Sequence, residues 1–184
     1  MRLIETILEF DKQLFLFLNG FHRPWLDTLM LFFSKSKVWI PLYLIIVFYL
    51  FRNFGLKDGV RFIALIILAV CMSDFITSGI MKPYFQRLRP CYDFLSEMTL
   101  VGNCGGKYGF ASSHAANSFA LFFSIYKIFG KKHFWTYTLL CWAIIVSYSR
   151  IYLGVHFPLD VLFGGLLGIL ISTCIFKINE SITK

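Results

Sequence analysis

The feature of this sequence that most constrains its fold is a series of long apolar runs. A helix of about 20 apolar residues can cross the roughly 30 Å hydrocarbon core of a bilayer. Five runs approach that length, and they cover residues 38–51, about 60–81, 112–128, 134–148 and 159–176. The pattern predicts an all-α, polytopic membrane helical bundle with five clear spans. Because no repeat or linker interrupts it, we interpret residues 1–184 as one integral-membrane domain.

Composition and charge support a membrane protein over a soluble one. Hydrophobic residues make up 58% of the chain and charged residues 15%, whereas a soluble domain has about 45–50% apolar and about 25% charged residues. The net charge of +8 is typical of cytoplasmic anchoring loops. No basic stripe lies on a polar face, so we expect no nucleic-acid partner.

The N-terminal segment, residues 1–36, is apolar but irregular. Asp11 and Lys12 interrupt it, as do turn-forming pairs at 19–20 and 23–24. We therefore predict an interfacial helix, a turn and a second helix. Two alternatives stay open: the helices lie in the membrane interface, or they make a sixth, irregular crossing.

The distribution of charge predicts how the chain crosses the membrane. The short loops 52–61 and 127–133 each carry three Lys or Arg residues, which places both in the cytoplasm. Alternation of the spans then places the segments 82–110 and 149–157 together on the opposite side, and the C-terminus inside.

Positively charged residues on the outer side are contrary to the preference of Lys and Arg for cytoplasmic loops and therefore need another explanation. They are Lys82, Arg87, Arg89, Lys107 and Arg150. An anionic ligand is the natural candidate, because Arg suits bidentate contact with phosphate and Lys supplies a point charge. Contact with lipid headgroups accounts for Arg87 and Lys107 well enough.

The segment before the last span carries a candidate catalytic pair. Pro158 suits the first turn of a helix, which puts His156 at the helix entrance and Asp160 four residues further on. A carboxylate that accepts the proton of one imidazole nitrogen leaves the other nitrogen free to attack. The alternative for each residue taken alone is structural, since Asp is favoured in any first helical turn.

A similar arrangement is expected where the third span begins. Ser112 or Ser113 can cap this helix, and the free N–H groups beside them form a cradle for an anion. His114 could then donate a proton to a leaving group. The alternatives are a capping role for either serine and a purely structural role for His114.

Two further features lie inside the spans and are assigned no chemistry. Asp74 should face the bundle interior or a wet cavity, most simply as a structural hydrogen-bond acceptor. Gly164 and Gly168 are four residues apart, a spacing that indicates close packing between helices.

Taken together, three motifs resemble those of the type 2 phosphatidic acid phosphatase superfamily of membrane lipid phosphatases. Its signatures KxxxxxxRP and SRxxxxxHxxxD are present at 82–90 and 149–160. Its PSGH signature corresponds to ASSH at 111–114, where Ala111 replaces the proline and Ser113 the glycine. The extra hydroxyl of Ser113 then belongs to the phosphate cradle.

The resemblance implies a role for each matching residue. His156 would be the nucleophile, Asp160 the carboxylate that orients it, and His114 the general acid. The remaining side chains would bind the phosphate oxygens: Lys82, Arg89, Ser112, Ser113 and Arg150. The family needs no metal or other cofactor, and none is expected here.

The implied function is hydrolysis of a lipid phosphomonoester or diphosphate through a phosphohistidine. We expect an enzyme of the bacterial inner membrane whose active site faces the periplasm. Undecaprenyl diphosphate is the preferred substrate, and lipid A, phosphatidylglycerol phosphate and phosphatidic acid are the alternatives. A non-catalytic phospholipid-binding or transport protein is the competing class, and the oligomeric state is left open.

The outer loop 90–109 is where we expect selectivity for the lipid. It contains Cys91 and Cys104. These residues can form a disulfide if the loop faces an oxidising compartment. The alternative is two free thiols.

Overall fold

The structure is a computed structural model that describes residues 2–183, and its regular elements are helical. One isolated bridge joins Leu88 to Tyr108. The α-helices are α1 (Arg2–Asn19), α2 (Pro24–Ser34), α3 (Ile40–Asp74), α4 (Lys82–Phe85), α5 (Pro90–Asp93), α6 (Ser113–Phe129), α7 (Phe134–Tyr152) and α8 (Pro158–Ile182). A π-helical segment, Phe75–Met81, joins α3 to α4.

The long helix α3 is a hairpin rather than a rod. Its path breaks at Gly55, whose φ of 71° is rarely adopted by other residues. Ile46 and Ile66 lie on either side of this break and belong to the same buried cluster. In a straight helix they would be about 30 Å apart, so the chain reverses at Gly55. The first two predicted spans are the two arms of this hairpin.

The centre of the bundle is the packing of α6 against α8. A Cβ added at Gly168 would lie 2.9 Å from the backbone nitrogen of Ala120, and one at Gly164 would lie 3.3 Å from the Cβ of Ala115. Only residues without a side chain let the two backbones approach this closely. The predicted packing role of the two glycines is confirmed.

The remaining helices agree closely with the sequence prediction. The last three predicted spans correspond to α6, α7 and α8, and the N-terminal segment forms the predicted helix, turn and second helix. Within residues 2–183, two helical segments, Ser36–Phe85 and Pro158–Ile182, are long and apolar enough to cross a membrane. The first of them contains the whole α3 hairpin.

The outer loop is tied to itself and to the bundle. Cys91 and Cys104 form a disulfide, and their Cα atoms are 6.1 Å apart. The N–H of Val101 donates to the carbonyl of Leu153 in the segment between α7 and α8. The three motif regions therefore meet at one end of the bundle.

Candidate active site

A cavity of about 760 Å³ opens among α3, α6 and α7, and its polar end contains most of the predicted site. Six of the predicted residues line it: Lys82, Arg89, Ser113, His114, Arg150 and His156. Asp160 and Ser112 lie behind this surface and are fully buried. The rest of the lining is mostly apolar.

His156 and Asp160 form the pair that their spacing predicts. His156 Nδ1 lies 3.3 Å from Asp160 Oδ2, and both side chains are buried. The N–H of Phe157 donates to the same carboxylate oxygen at 3.0 Å, as expected for an aspartate in the first turn of α8. Because Nδ1 is engaged with the carboxylate, Nε2 is the ring nitrogen left for a ligand.

The surroundings of His156 favour its neutral form. Burial lowers the pKa of His156 well below its usual range, and the charges of Arg150, Arg89 and Lys82 lower this pKa further. A neutral imidazole keeps a lone pair, which a nucleophile requires. Burial, together with the cations that would bind a phosphate, thus favours the unprotonated form of this histidine.

Arg87 holds the carboxylate of Asp160 from behind. Its Nη1 donates to Asp160 Oδ1 at 2.9 Å, and its Nη2 donates to Asp11 Oδ2 at 2.6 Å. The guanidinium also lies over the ring of Phe157, with its Cζ 4.1 Å from the ring centroid. Our interpretation of Arg87 as a headgroup contact is therefore wrong, because its side chain faces the protein interior.

Asp11 brings the N-terminal helix into this arrangement. The side chain is 2% exposed, and its Oδ1 accepts from the N–H of Leu159, in the first turn of α8, at 2.9 Å. The sequence contained a signal for this role: a carboxylate in an apolar helix is costly unless it finds a partner. The partner, Arg87, lies 76 positions away.

Lys82 is anchored beside the start of α6. Its Nζ lies 2.6 Å from Ser113 Oγ and 3.3 Å from Ser78 Oγ. The hydroxyl of Thr77 also donates to Ser113 Oγ, at 2.9 Å. The serine that replaces the family's glycine therefore positions the lysine, in addition to lining the cavity.

Arg89 is held by the outer loop. Its Nη1 donates to the carbonyl of Cys104 at 2.9 Å, and its Nε donates to that of Tyr108 at 3.2 Å. Burial lowers the pKa of Arg89, although a guanidinium stays charged at neutral pH. The disulfide-closed loop is thus part of the support of one phosphate-binding candidate.

Arg150 and His114 both contact Ser34, at the end of α2. Arg150 Nη1 donates to Ser34 Oγ, and His114 Nε2 lies 3.2 Å from the Ser34 carbonyl. Since a carbonyl only accepts, Nε2 of His114 carries a proton in this geometry. Ser34 belongs to no motif, so no sequence signal predicted its place in the site.

Ser112 occupies the N-cap position of α6 without a side-chain capping bond. Its N–H donates to the carbonyl of Asp160 at 2.9 Å, while its buried Oγ has no hydrogen-bond partner in the described part of the chain. The capping alternative for this hydroxyl is therefore not observed. Ser112 does not line the cavity, so its predicted contact with phosphate stays a prediction.

No group of three or more His, Cys, Asp or Glu side chains is arranged as a metal site among residues 2–183. The expectation of a metal-independent reaction stays a prediction.

Comparison with known proteins agrees with the motifs and the fold. A family model described as the PAP2 superfamily matches residues 59–184. This match contains all three motif regions and the helices α4 to α8. It ends beyond the described residues and begins within the second arm of the α3 hairpin.

Relatives extend the similarity to the N-terminal helices. The chain is 35% identical over 178 residues to a lipid A 4'-phosphatase of Porphyromonas gingivalis, covering 95% of this chain and 75% of that protein. It is 31% identical over 185 residues to an undecaprenyl-diphosphatase of Sulfolobus acidocaldarius, covering 96% and 82%. A crystal structure of a transmembrane PAP2-type phosphatidylglycerolphosphate phosphatase from Bacillus subtilis superposes with a TM-score of 0.74 at 25% identity, covering 96% of this chain and 88% of that one.

Proposed function

Because this chain belongs to the PAP2 superfamily, and is therefore a membrane lipid phosphate phosphatase, we propose that it removes a phosphate from a lipid A-type glycolipid through a phosphohistidine on His156. One observation carries the mechanism: the buried pair of His156 and Asp160 lies at the polar end of a mostly apolar cavity. Three cations, Lys82, Arg89 and Arg150, line the same end.

Lipid A replaces undecaprenyl diphosphate as the preferred substrate. The lipid A 4'-phosphatase of Porphyromonas gingivalis is more similar to this chain than the undecaprenyl-diphosphatase of Sulfolobus acidocaldarius, at 35% against 31% identity. The comparisons thus favour what the sequence analysis held as an alternative. Undecaprenyl diphosphate becomes the second candidate.

In the first step, the lone pair of His156 Nε2 attacks the phosphorus and a P–N bond forms. The ester P–O bond breaks, and its electron pair goes to the leaving oxygen, which takes a proton from His114. Asp160 stabilises the positive charge that develops on the imidazole ring. Lys82, Arg89 and Arg150 stabilise the negative charge on the equatorial oxygens of the transition state.

In the second step, a water molecule takes the position that the leaving group has vacated. His114, now deprotonated, accepts a proton from the water as its oxygen attacks the phosphorus. The P–N bond breaks, and its electron pair returns to Nε2 of His156. Phosphate is released, and both histidines recover their starting protonation states.

The division of the substrate between two environments accounts for the position of the site. The phosphate meets the cations at the end of the bundle, while the acyl chains occupy the apolar part of the cavity. We assign this end to the periplasmic side of the inner membrane, on the basis of the basic loops 52–61 and 127–133. Impermeant maleimide should label Gly106→Cys in right-side-out spheroplasts and should not label Lys131→Cys, and the reverse pattern would overturn this orientation.

The function is tested by phosphate release from four lipids in detergent with EDTA present. The lipids are lipid A, undecaprenyl diphosphate, phosphatidylglycerol phosphate and phosphatidic acid. We expect the highest kcat/KM with lipid A, and no release by His156→Ala. His133→Ala is the matched control, because His133 lies at the other end of α6 and α7, where it stacks on Phe129.

Two outcomes would contradict the proposal. Release by His156→Ala at the wild-type rate would exclude this histidine as the nucleophile. A higher kcat/KM with undecaprenyl diphosphate than with lipid A would make undecaprenyl diphosphate the assigned substrate. The intermediate itself is tested by rapid quenching, in which an acid-labile phosphate label should appear on the wild-type protein and not on His156→Ala.

The role of His114 is tested separately with leaving groups of different basicity. His114→Ala should reduce hydrolysis of alkyl phosphates far more than that of activated aryl phosphates, because only the former need a proton donor. Equal losses for the two classes would exclude a general-acid role.

A further inference from the structure

The cavity contains two polar side chains that the proposed mechanism does not use. Asp74, at the end of α3, and Asn117, on α6, both line it below the phosphate end. Asn117 Nδ2 donates to Asp74 Oδ1 at 3.2 Å. From its place in a predicted span, Asp74 is expected to face the bundle interior or a wet cavity as a structural acceptor.

One oxygen of Asp74 is left without a partner. Within residues 2–183, Oδ2 accepts no hydrogen bond, and no Lys, Arg or His side chain lies within ion-pair distance of the carboxylate. The side chain is also exposed rather than packed. A carboxylate at membrane depth is costly, so a purely structural acceptor with only one partner is a poor explanation for it.

The position of this pair relative to the phosphate end follows from the helices. Ser78 and Ser113, which contact Lys82, are joined by a hydrogen bond of 2.8 Å between their hydroxyls. Asp74 precedes Ser78 by four residues, and Asn117 follows Ser113 by four. Ser113 and Asn117 lie in α6, where four residues correspond to about 6 Å of rise, and Asn117 contacts Asp74, so the pair lies about one helical turn deeper in the cavity than the lysine.

The chemistry of a carboxylate selects the ligand group. An ionised aspartate only accepts hydrogen bonds, and such charge-assisted bonds are about twice as strong as neutral ones. It also repels a second anion. The group that fits it is therefore a hydroxyl or an amide N–H, carried by the substrate between its phosphate and its hydrocarbon chains.

We propose that Asp74, supported by Asn117, is a specificity subsite that binds a hydroxyl or amide N–H of the lipid about one helical turn from the scissile phosphate. This inference rests on the proposed function and narrows its substrate class to acylated, phosphorylated amphiphiles with donors near the phosphate. A phosphorylated amino sugar with amide-linked hydroxyacyl chains has such donors. A polyprenyl diphosphate has only hydrocarbon at that distance.

The test measures binding, so that it does not depend on turnover. The His156→Ala protein is titrated with ceramide 1-phosphate, which carries an amide N–H and a hydroxyl near its phosphate, and with phosphatidic acid, which carries neither. Adding Asp74→Ala should raise the Kd for ceramide 1-phosphate at least about tenfold, the usual effect of losing a hydrogen bond to a charged group. The Kd for phosphatidic acid should stay level or fall, because a repulsive charge has been removed.

Other roles of Asp74 predict different outcomes. If it only supports the fold, Asp74→Ala weakens binding of both lipids; if it acts only as a charge, both bind more tightly. Either result overturns the subsite. Asp74→Asn is the second variant should alanine disturb folding, and it should raise the Kd for ceramide 1-phosphate by a smaller factor. Asp58→Ala is the control: it removes a charge from the same helix at a site paired with Arg61 and should change neither Kd.

The same experiment separates this inference from the proposed function. If wild-type protein releases no phosphate from lipid A while the two lipids still diverge in Asp74→Ala, the proposed function fails and the subsite stands. If lipid A is hydrolysed and the two lipids change in parallel, the subsite fails and the proposed function stands.

Discussion

Replacement of Gly109 by alanine is the most direct test of the geometry around the pair of His156 and Asp160, the proposed nucleophile and its carboxylate. Gly109 is buried at the end of the outer loop, and its N–H donates to the carbonyl of Arg87 at 2.8 Å. A Cβ at this position would lie 2.8 Å from Asp160 Oδ2 and 3.6 Å from His156 Nδ1. The added methyl group would therefore press on the carboxylate that orients the nucleophile.

The size of the effect follows from these distances. Ordinary van der Waals contact of a Cβ begins at 3.4 Å, so the carboxylate or the loop must move by about 0.6 Å. Arg87 and the Phe157 N–H hold Asp160 at 2.9 and 3.0 Å, which limits how it can yield. Because a misplacement of about 1 Å can cost about 100-fold in rate, we expect kcat to fall about tenfold.

The assay is steady-state phosphate release by Gly109→Ala with the best lipid substrate. KM should change less than kcat, because the Cβ lies 2.8 Å from Asp160 Oδ2 and only slightly inside ordinary contact, at 3.3 Å, from Cγ of Arg89. Gly106→Ala is the matched control: it lies in the same loop, and a Cβ there meets nothing within 4 Å. Its kcat should equal that of the wild type, and the thermal midpoints of both variants should remain close to the wild-type value.

Two results would refute this reasoning. A wild-type kcat for Gly109→Ala would mean that the orientation of Asp160 does not limit the rate. An equal loss in Gly106→Ala would mean that the loop tolerates no substitution, irrespective of contact with Asp160.

Three further predictions follow from the site. The lowered pKa of His156 means that the nucleophile stays unprotonated as the pH falls through 6.5. The acid limb of kcat/KM, corrected for the substrate's own ionisation near about pH 6, should therefore have its midpoint below 6.5, and a midpoint at or above 6.5 would contradict the assignment. A lysine in place of Arg87 cannot bridge Asp11 and the carboxylate of Asp160 with two planar donors. Steady-state kinetics of Arg87→Lys should therefore show kcat falling about tenfold with a smaller change in KM, and Asp11→Asn should lower kcat by a smaller factor. A change in KM alone would exclude a positioning role for Arg87. Combined replacement of Cys91 and Cys104 by serine opens the loop that holds Arg89, a candidate phosphate-binding residue. We expect a higher KM and a thermal midpoint lower by several degrees. Unchanged values of both would show that the disulfide is dispensable.

The candidate site divides into residues that the sequence identifies and residues that it does not. The histidines, Asp160 and the three cations of the motifs were identified because each motif is short and resembles a signature of a known family. Their roles stay predictions until tested. Arg87 was misinterpreted, and Ser34 was not identified at all. Each of these two side chains acts through a partner that is distant in the sequence, and no local pattern encodes such a partner.

The sequence by itself determined the helices and the end of the bundle where the motifs meet. Hydrophobic runs, turn residues and charged loops are local properties, and each depends on neighbouring residues. The small residues Gly164 and Gly168 likewise indicated where two helices pack closely. These signals were sufficient because a membrane leaves a chain of this composition few alternatives to helices.

Only the tertiary structure decided which charged and polar side chains contact each other and which cavity forms between the helices. Arg87 joins Asp11 to Asp160 across separations of 76 and 73 positions, and Asp74 meets Asn117 across 43. A buried charge needs a polar or oppositely charged partner, or a ligand, but a sequence contains many residues that satisfy this need equally well. The packing of α3, α6 and α8 selects one set of partners. Beside these residues it leaves a cavity in which one carboxylate oxygen of Asp74 has no hydrogen-bond partner within residues 2–183.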